Sequence, residues 1–264
     1  MAHKRNNIDD DRMRSYSSAF LRNVFSSIIS YSDFSQLNWL IHQYDDNFYM
    51  ENTYMDYMSY LYKHLIRSYR CEYVFKNEII NQILLKKYGT KNTIAFNEFK
   101  VGDSIVDLAM MNGESKAFEI KTSFDSPRRL KKQMSDYKKV FNKCYVVVDS
   151  DESEYYAEII DDYVGIVSLS FFRGNVRVEE FRPALKRDAV DGLTAMKCLR
   201  TCEYENIIRH LYRELPSVPS YKMYEACSDL ICEVDPATLN LLFLEKMKKR
   251  KSATERLKNF PKEL

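Results

Sequence analysis

The chain has 264 residues and a hydrophobic fraction of 45%, so it can bury a substantial core and suits either one large domain or a core with helical additions. No apolar run approaches the length of a membrane span, and the N-terminus lacks the apolar centre of a signal peptide, so we expect a cytoplasmic protein without a membrane partner. The formal net charge of +2 excludes a global basic field. Any contact with nucleic acid must therefore come from local clusters of Lys and Arg.

Residues 1–67 are predicted to form a helical N-terminal extension rich in tyrosine. Apolar residues recur at helical spacing from Met13 to Ile29, and a second short helix is expected from Leu37 to Tyr44. A further apolar stripe either packs on neighbouring helices or stacks bases against its tyrosine rings, and we favour packing. The members of this stripe are Tyr54, Tyr57, Met58, Leu61 and Leu65.

Glu72 to Tyr88 is predicted to be one helix, ended by Gly89 in a C-cap position. Glu78 borders the apolar face of this helix. It is either a surface glutamate near Lys76 or an acidic residue of a site on the adjacent elements. A strand is expected next, from Thr93 to Val101.

The stretch from Val101 to Lys121 predicts two short strands joined at an Asn-Gly pair, a strong hairpin signal. The second strand places Glu119 and Lys121 on one face, because strand side chains alternate. Asp107 of the first strand lies opposite Glu119 only if the turn holds an odd number of residues, for example the three residues 112–114. Two carboxylates and a lysine would then meet on an apolar sheet. A divalent metal or a surface salt-bridge cluster explains such a group.

Residues 125–127, Asp-Ser-Pro, predict the start of a helix that runs to about Phe141. Gln133 falls inside its apolar stripe, one turn before Tyr137, and a glutamine there needs a polar partner. That partner is either a site on the adjacent sheet or another group in the core. The opposite face is basic and either contacts phosphates or is solvated, and it carries Arg128, Lys131, Lys132, Lys138 and Lys139.

The second half of the chain is predicted to complete the sheet and then to become helical again. Cys144 to Val148 predicts a buried strand, parallel to the strand that ends at Lys121 because a helix connects the two. The segment from Pro183 onward is predicted to be helical, and its basic run, residues 246–251, either binds nucleic acid or ends a solvated helix. The remaining elements are a helix from Tyr155 to Ile160 and strands from Ile166 to Phe171 and from Val176 to Glu179.

The six cysteines predict reduced, mostly buried thiols in a chain of this length without a secretion signal. The alternative is a structural metal or an iron–sulfur cluster. Cys198 and Cys202 have the spacing of neighbours on a helix, and no Cys-x-x-Cys pair occurs, which disfavours that alternative.

The order of the polar residues resembles the PD-(D/E)XK nuclease superfamily. The motifs are a helix acid, a strand acid, a Glu-x-Lys and a following Gln-x-x-x-Tyr, and the last of these resembles the RecB-like branch. The amino-acid sequence of residues 69–149 is also similar to a poorly characterised bacterial family with this core. Val106 stands where the superfamily often has proline. The motif residues are Glu78, Asp107, Glu119, Lys121, Gln133 and Tyr137.

This resemblance implies an α/β fold, with a mixed central β-sheet flanked by helices as in restriction endonucleases. The nuclease-like core would span residues 68–183. The helical N-terminal extension, residues 1–67, and a helical C-terminal region, residues 184–264, lie outside it.

The resemblance also implies a metal site and a reaction. Asp107, Glu119 and the backbone carbonyl of Ile120 would hold Mg²⁺ or Mn²⁺, and Glu78 would hold a second ion or orient a water. The reaction would be phosphodiester hydrolysis in DNA, with RNA as an alternative substrate.

The remaining motif residues would act beside the metal. Lys121 would position the attacking water or stabilise the charged transition state. Gln133 and Tyr137 would support Lys121 or meet the substrate backbone. Because a fold does not by itself give a function, the other class is a catalytically silent module that binds nucleic acid or a protein partner.

Overall fold

The structure is a computed structural model, and it describes residues 7–50, 52–88 and 93–250. Its centre is a six-stranded sheet in which the strands follow their order in the chain. β3, β4 and β5 run parallel to one another, while β1, β2 and β6 join the sheet by antiparallel pairing. The strands are β1 (Ile94–Val101), β2 (Ser104–Met111), β3 (Ser115–Ile120), β4 (Lys143–Asp149), β5 (Gly165–Phe172) and β6 (Asn175–Arg182).

Helices cover both faces of this sheet, so the expected α/β class is confirmed. Before the sheet come α1 (Asn7–Ser18), α2 (Arg22–Tyr31), α3 (Ser35–Tyr44), α4 (Tyr54–Ser68) and α5 (Glu72–Glu78). Within and after it come α6 (Leu130–Tyr137), α7 (Ser153–Ile159), α8 (Gly192–Cys198), α9 (Thr201–Tyr212), α10 (Met223–Glu233) and α11 (Pro236–Lys249).

The N-terminal helices pack around a core of their own. Thr53 caps the N-terminus of α4 and forms a capping box with Asp56. Its apolar stripe faces inward, and Tyr57, Leu61 and Leu65 are fully buried, which confirms that this stripe serves packing.

The helix predicted from Glu72 to Tyr88 changes pitch halfway. It is α-helical to Glu78 and then continues as a π-helix, Ile79–Tyr88. In the π-helical part, Gln82 bonds the carbonyl of Val176 and the N–H of Val178, which ties the helix to β6. The predicted cap at Gly89 lies outside the described residues.

The hairpin has the predicted register. Met111 pairs with Ser115 and Leu108 pairs with Phe118, so the turn contains the three residues 112–114. The next pair in this register is Asp107 opposite Glu119. The odd turn length required for a shared face is therefore confirmed.

The connection between β3 and β4 is the predicted parallel crossover. Ser126 caps a short 3-10 turn, Pro127–Arg129, which leads directly into α6. α6 ends at Tyr137 rather than near Phe141, because the chain tightens there into a turn in which Val140 donates to the carbonyl of Tyr137.

The C-terminal helices share a core with one face of the sheet. Met196, Ile207 and Phe243 are buried in the same apolar cluster as Val146 of β4. In the part of the chain that the structure describes, no helix has the length and apolarity needed to cross a membrane.

All six cysteines are free thiols. The expectation that most are buried is wrong: Cys144 and Cys227 are buried, whereas Cys202 and Cys232 are exposed. The last two lie on the outer sides of α9 and α10, where a small side chain meets water at little cost.

Candidate functional site

Asp107 lies where β2 separates from β3, at the end of their ladder. Its Oδ2 accepts a hydrogen bond of 2.7 Å from the N–H of Ile120, a donor that β2 no longer satisfies. Burial raises the pKa of Asp107 to about 7, and the negative charge of Glu119 adds to this rise. The protein therefore holds two carboxylates close together at a position that is partly shielded from solvent.

Glu119 is 2% exposed and is held by three side chains. Its Oε1 accepts from Lys121 Nζ at 2.6 Å and from Gln133 Nε2 at 2.5 Å. Its Oε2 lies 2.7 Å from the hydroxyl of Tyr137. These contacts fix the plane of the carboxylate, and a buried carboxylate requires such partners.

α6 supplies the two neutral partners. Gln133 and Tyr137 lie one turn apart on the face of α6 that packs on the sheet, as their four-residue spacing predicts. Burial, and then the charge of Glu119, raise the pKa of Tyr137, so its hydroxyl stays protonated and remains a donor. That hydroxyl also lies 2.6 Å from the carbonyl oxygen of Ile105.

Gln133 has one further polar atom in the site. Its amide nitrogen donates to Glu119, but its Oε1 is buried and has no hydrogen-bond partner among the described residues. Buried acceptors are normally paired, so this oxygen marks a place where the site is suited to a further donor or to water.

The backbone of Ile120 completes the oxygen donors. In an extended residue, the N–H and the carbonyl point to the same edge of the strand. The N–H of Ile120 bonds Asp107, so its carbonyl faces the Asp107 side, while the next N–H, that of Lys121, bonds Val147 on the other side. The carbonyl of Ile120 thus lies on the side of the strand where Asp107 is.

Glu78 is held elsewhere. It accepts a 2.6 Å hydrogen bond from the hydroxyl of Tyr62 on α4 and a 2.7 Å bond from Gln82. The structure therefore places the proposed third acid against the N-terminal helices.

Glu72, which the sequence interpretation did not select, is the acid of this helix whose charge acts on Asp107. It pairs with Lys76 at 2.8 Å, and Lys76 also acts on Asp107. Glu72 and Glu78 are six residues apart, which places them about 120° apart around a helix of 100° per residue. The Glu72 side chain is 54% exposed, whereas Glu78 is half-buried.

The donor set fits a hard divalent cation. Asp107, Glu119 and the carbonyl of Ile120 supply oxygen, the ligand that Mg²⁺ and Mn²⁺ prefer. Burial, and then the charge of Glu119, raise the pKa of Asp107, and a bound cation would offset the charge of the pair. Among the described residues, no group of three or more His, Cys, Asp or Glu side chains is arranged for a metal. A site here thus rests on two carboxylates and the backbone.

Comparison with known proteins gives one family. The family model for the bacteriophage P4 protein cII matches residues 66–260 of this chain. Protein cII of Enterobacteria phage P4 itself is 32% identical over 96 residues, which are 36% of this chain and 36% of that protein. The alignment thus spans just over a third of the length of this relative.

One solved structure is similar over a smaller segment. The SPO1766 protein of unknown function from Silicibacter pomeroyi shares 18% identity, with a TM-score of 0.29, over 36% of this chain and 62% of that chain. The family match, in contrast, contains the whole carboxylate site and the helices that follow the sheet.

Proposed function

The chain belongs to the bacteriophage P4 protein cII family, and we propose that it is a metal-dependent nuclease that hydrolyses phosphodiester bonds in DNA. The observation that carries the proposal is the register of the hairpin, which sets Asp107 opposite Glu119 with Lys121 on the same face. The sequence resemblance to the PD-(D/E)XK superfamily supports the same function. The proposal includes a cytoplasmic location, where DNA is accessible.

In this proposal Asp107, Glu119 and the carbonyl of Ile120 hold Mg²⁺ or Mn²⁺. When bound, the ion supplies Lewis-acid chemistry: it acidifies a water and neutralises charge on the scissile phosphate. Glu72 and Lys76 of α5 act on Asp107 through their charges, Glu72 raising its pKa and Lys76 lowering it.

The side chains around Glu119 stabilise charge and orient its carboxylate. Lys121 keeps its ammonium beside Glu119, 2.6 Å from Oε1, so a cation is in place where negative charge develops during phosphoryl transfer. Gln133 and Tyr137 orient the carboxylate by donating to its two oxygens, so that it stays in place when Lys121 turns toward substrate.

The test compares Asp107→Ala with Asp103→Ala. Asp103 lies in the turn before β2, and its side chain is 88% exposed, so it is a matched control carboxylate. Purified proteins are assayed on single-stranded, duplex and branched DNA and on RNA, with Mg²⁺ and with EDTA. We expect Asp107→Ala to lose at least about 100-fold in metal-dependent cleavage, in keeping with loss of a group that stabilises transition-state charge. Asp103→Ala should retain the rate.

Two outcomes contradict the proposal. Cleavage that persists in Asp107→Ala would assign the activity to a contaminant or to another site. Tight binding of nucleic acid by the wild type, without turnover on any of the four substrates in Mg²⁺ or Mn²⁺, would instead favour the catalytically silent module.

A further inference from the structure

A cleft lined by arginines lies beside β5. Arg67 near the end of α4, Arg70 just before α5 and Arg173 in the turn between β5 and β6 contribute their side chains to it. Ile66 and Phe171 also line it. We call this the arginine cleft.

The arginine cleft is at the same edge of the sheet as the carboxylate site. β3, β4 and β5 are parallel, so their carboxyl ends, at Ile120, Asp149 and Phe172, meet at one edge. Arg70 reaches the end of β4, where it donates to Asp149 Oδ2 at 2.5 Å. Two strand spacings, about 10 Å, separate β3 from β5.

The positive charge of the cleft is mostly uncompensated. Arg70 pairs with Asp149, and its guanidinium lies 4.4 Å from the ring centroid of Phe171. Within the described part of the chain, Arg67 and Arg173 are exposed and have no carboxylate within ion-pair distance. A guanidinium offers a planar pair of donors that matches a phosphate, so this cleft suits a phosphate group.

The turn between β5 and β6 keeps the cleft open. Arg173 and Gly174 form this turn with φ of +50° and +78°. A Cβ atom on residue 174 would lie 3.3 Å from Nε of Arg67 and would crowd its guanidinium. A glycine here therefore serves both the turn and the space beside Arg67.

The exposed aromatic ring of Phe124 is near the carboxylate site in sequence and packs next to a residue that adjoins the arginine cleft. Phe124 follows Lys121 by three residues and is 55% exposed. Its ring packs at 4.9 Å between centroids on Tyr69, the residue before Arg70. An exposed ring at this edge can stack a nucleic-acid base without regard to sequence.

We propose that the arginine cleft binds a backbone phosphate of the nucleic-acid strand whose scissile bond lies at Asp107 and Glu119, and that Phe124 stacks a base between them. The inference rests on the proposed nuclease function for the position of the scissile bond.

The test measures binding without cleavage. Fluorescence anisotropy with a labelled single-stranded DNA of about 12 nucleotides, in EDTA, compares the wild type with the double variant Arg67→Ala, Arg173→Ala. We expect the Kd to rise at least about tenfold, and the slope of log K against log salt to fall by about 0.7 for each phosphate that the variant leaves without its arginine. Arg173→Lys alone should weaken binding less, because it keeps the charge. Phe124→Ala should weaken binding with an unchanged salt slope.

Lys197→Ala is the matched control. Lys197 is exposed on α8, which packs against β1 at the far edge of the sheet. Its replacement should leave the Kd unchanged. Circular dichroism melts check that Arg67 and Arg173, both on the surface, are dispensable for folding.

The inference is overturned if the double variant binds as tightly as Lys197→Ala, or if the wild type does not bind DNA. These results are separate from the nuclease test, because EDTA removes cleavage from the measurement. Suppose that Asp107→Ala binds DNA normally, that this binding depends on Arg67 and Arg173, and that the variant cleaves DNA at the wild-type rate. The binding role of the arginine cleft would then stand, and the proposed nuclease site would be wrong.

Discussion

At the scale of single residues, the burial of the Asp107 carboxylate beside Glu119 costs the folded protein stability. It lies partly buried beside Glu119 and has one strong donor, the N–H of Ile120. A protein with a pair of partly buried carboxylates of this kind is less stable without its ligand than it would be with neutral residues at the same positions. The cost should be measurable in the protein without metal.

The pH dependence of stability follows from the pKa of Asp107, which rises from 3.8 to about 7 on folding. Between these values the folded chain keeps a proton that the unfolded chain has released. The free energy of unfolding contributed by this carboxyl is therefore highest below pH 3.8 and falls as the pH rises to about 7. Asp107→Asn removes this fall and keeps an acceptor for Ile120.

We expect Asp107→Asn to be more stable than the wild type at pH 8 by about 1–2 kcal/mol, since one pKa unit is about 1.4 kcal/mol and partial solvation screens part of the shift. At pH 4 the two should be alike. Urea unfolding in EDTA at both pH values measures the difference, with Asp103→Asn as control. Added Mg²⁺ should stabilise the wild type at pH 8 and not the variant. A variant less stable than the wild type at pH 8 would contradict this account.

At the scale of elements, the N-terminal helices are held together by one buried carboxylate. Asp45, at the end of α3, accepts hydrogen bonds from the hydroxyls of Tyr16, Tyr57 and Tyr60 and from Arg12, at 2.8–3.0 Å. Its side chain is 7% exposed. The helices of this bundle thus meet at one polar centre within an apolar core.

Asp45→Ala should lower the free energy of unfolding by about 2–4 kcal/mol, because it leaves three hydroxyls and the half-buried guanidinium of Arg12 without their acceptor. Asp46→Ala is the control, since Asp46 is adjacent and its side chain is 75% exposed. The fluorescence of Trp39, the single tryptophan of the chain, reports this bundle during urea unfolding. Equal effects of the two substitutions would contradict the role given to Asp45.

The elements also show what a sequence can and cannot predict here. The strands of the hairpin were predictable from the Asn-Gly signal and the two-residue alternation, but the face of Asp107 depended on an odd turn length, which the sequence did not decide. The choice between Glu72 and Glu78 was not predictable, because Glu78 bonds Tyr62 and Gln82, and those contacts depend on how the helices pack. The arginine cleft was not predictable either, since Arg67 and Arg173 are brought together by the fold and no local pattern links them.

At the scale of the whole molecule, the described residues form three apolar cores. The first joins one face of the sheet to the C-terminal helices, the second lies within the N-terminal helices, and the third joins the other face of the sheet to α5 and the π-helix. Phe243 of α11 is fully buried in the first core, together with Val146 of β4. The second core is built around Tyr57 and Leu61 of α4. A change in the first core should therefore be felt in the sheet more than in the N-terminal helices.

Phe243→Ala should lower the stability of the sheet core by about 3–5 kcal/mol, the usual cost of deleting a buried aromatic ring. Leu241→Ala, on the same helix and 68% exposed, is the control. The unfolding transition followed by circular dichroism at 222 nm should shift to lower urea concentration, and the transition followed by Trp39 fluorescence should shift less. If both transitions move equally, the two cores unfold as one unit.

The three-residue turn of the hairpin has a consequence for how this protein can vary by insertion and deletion. Removing or adding one residue between Met111 and Ser115 would pair the strands one step out of phase and send Asp107 to the face away from Glu119. A change of two residues would restore the phase. Homologous chains that retain both acids at the site should therefore differ in hairpin length by even numbers of residues. A homologue with a single-residue deletion in this turn should no longer be under selection to retain the two acids.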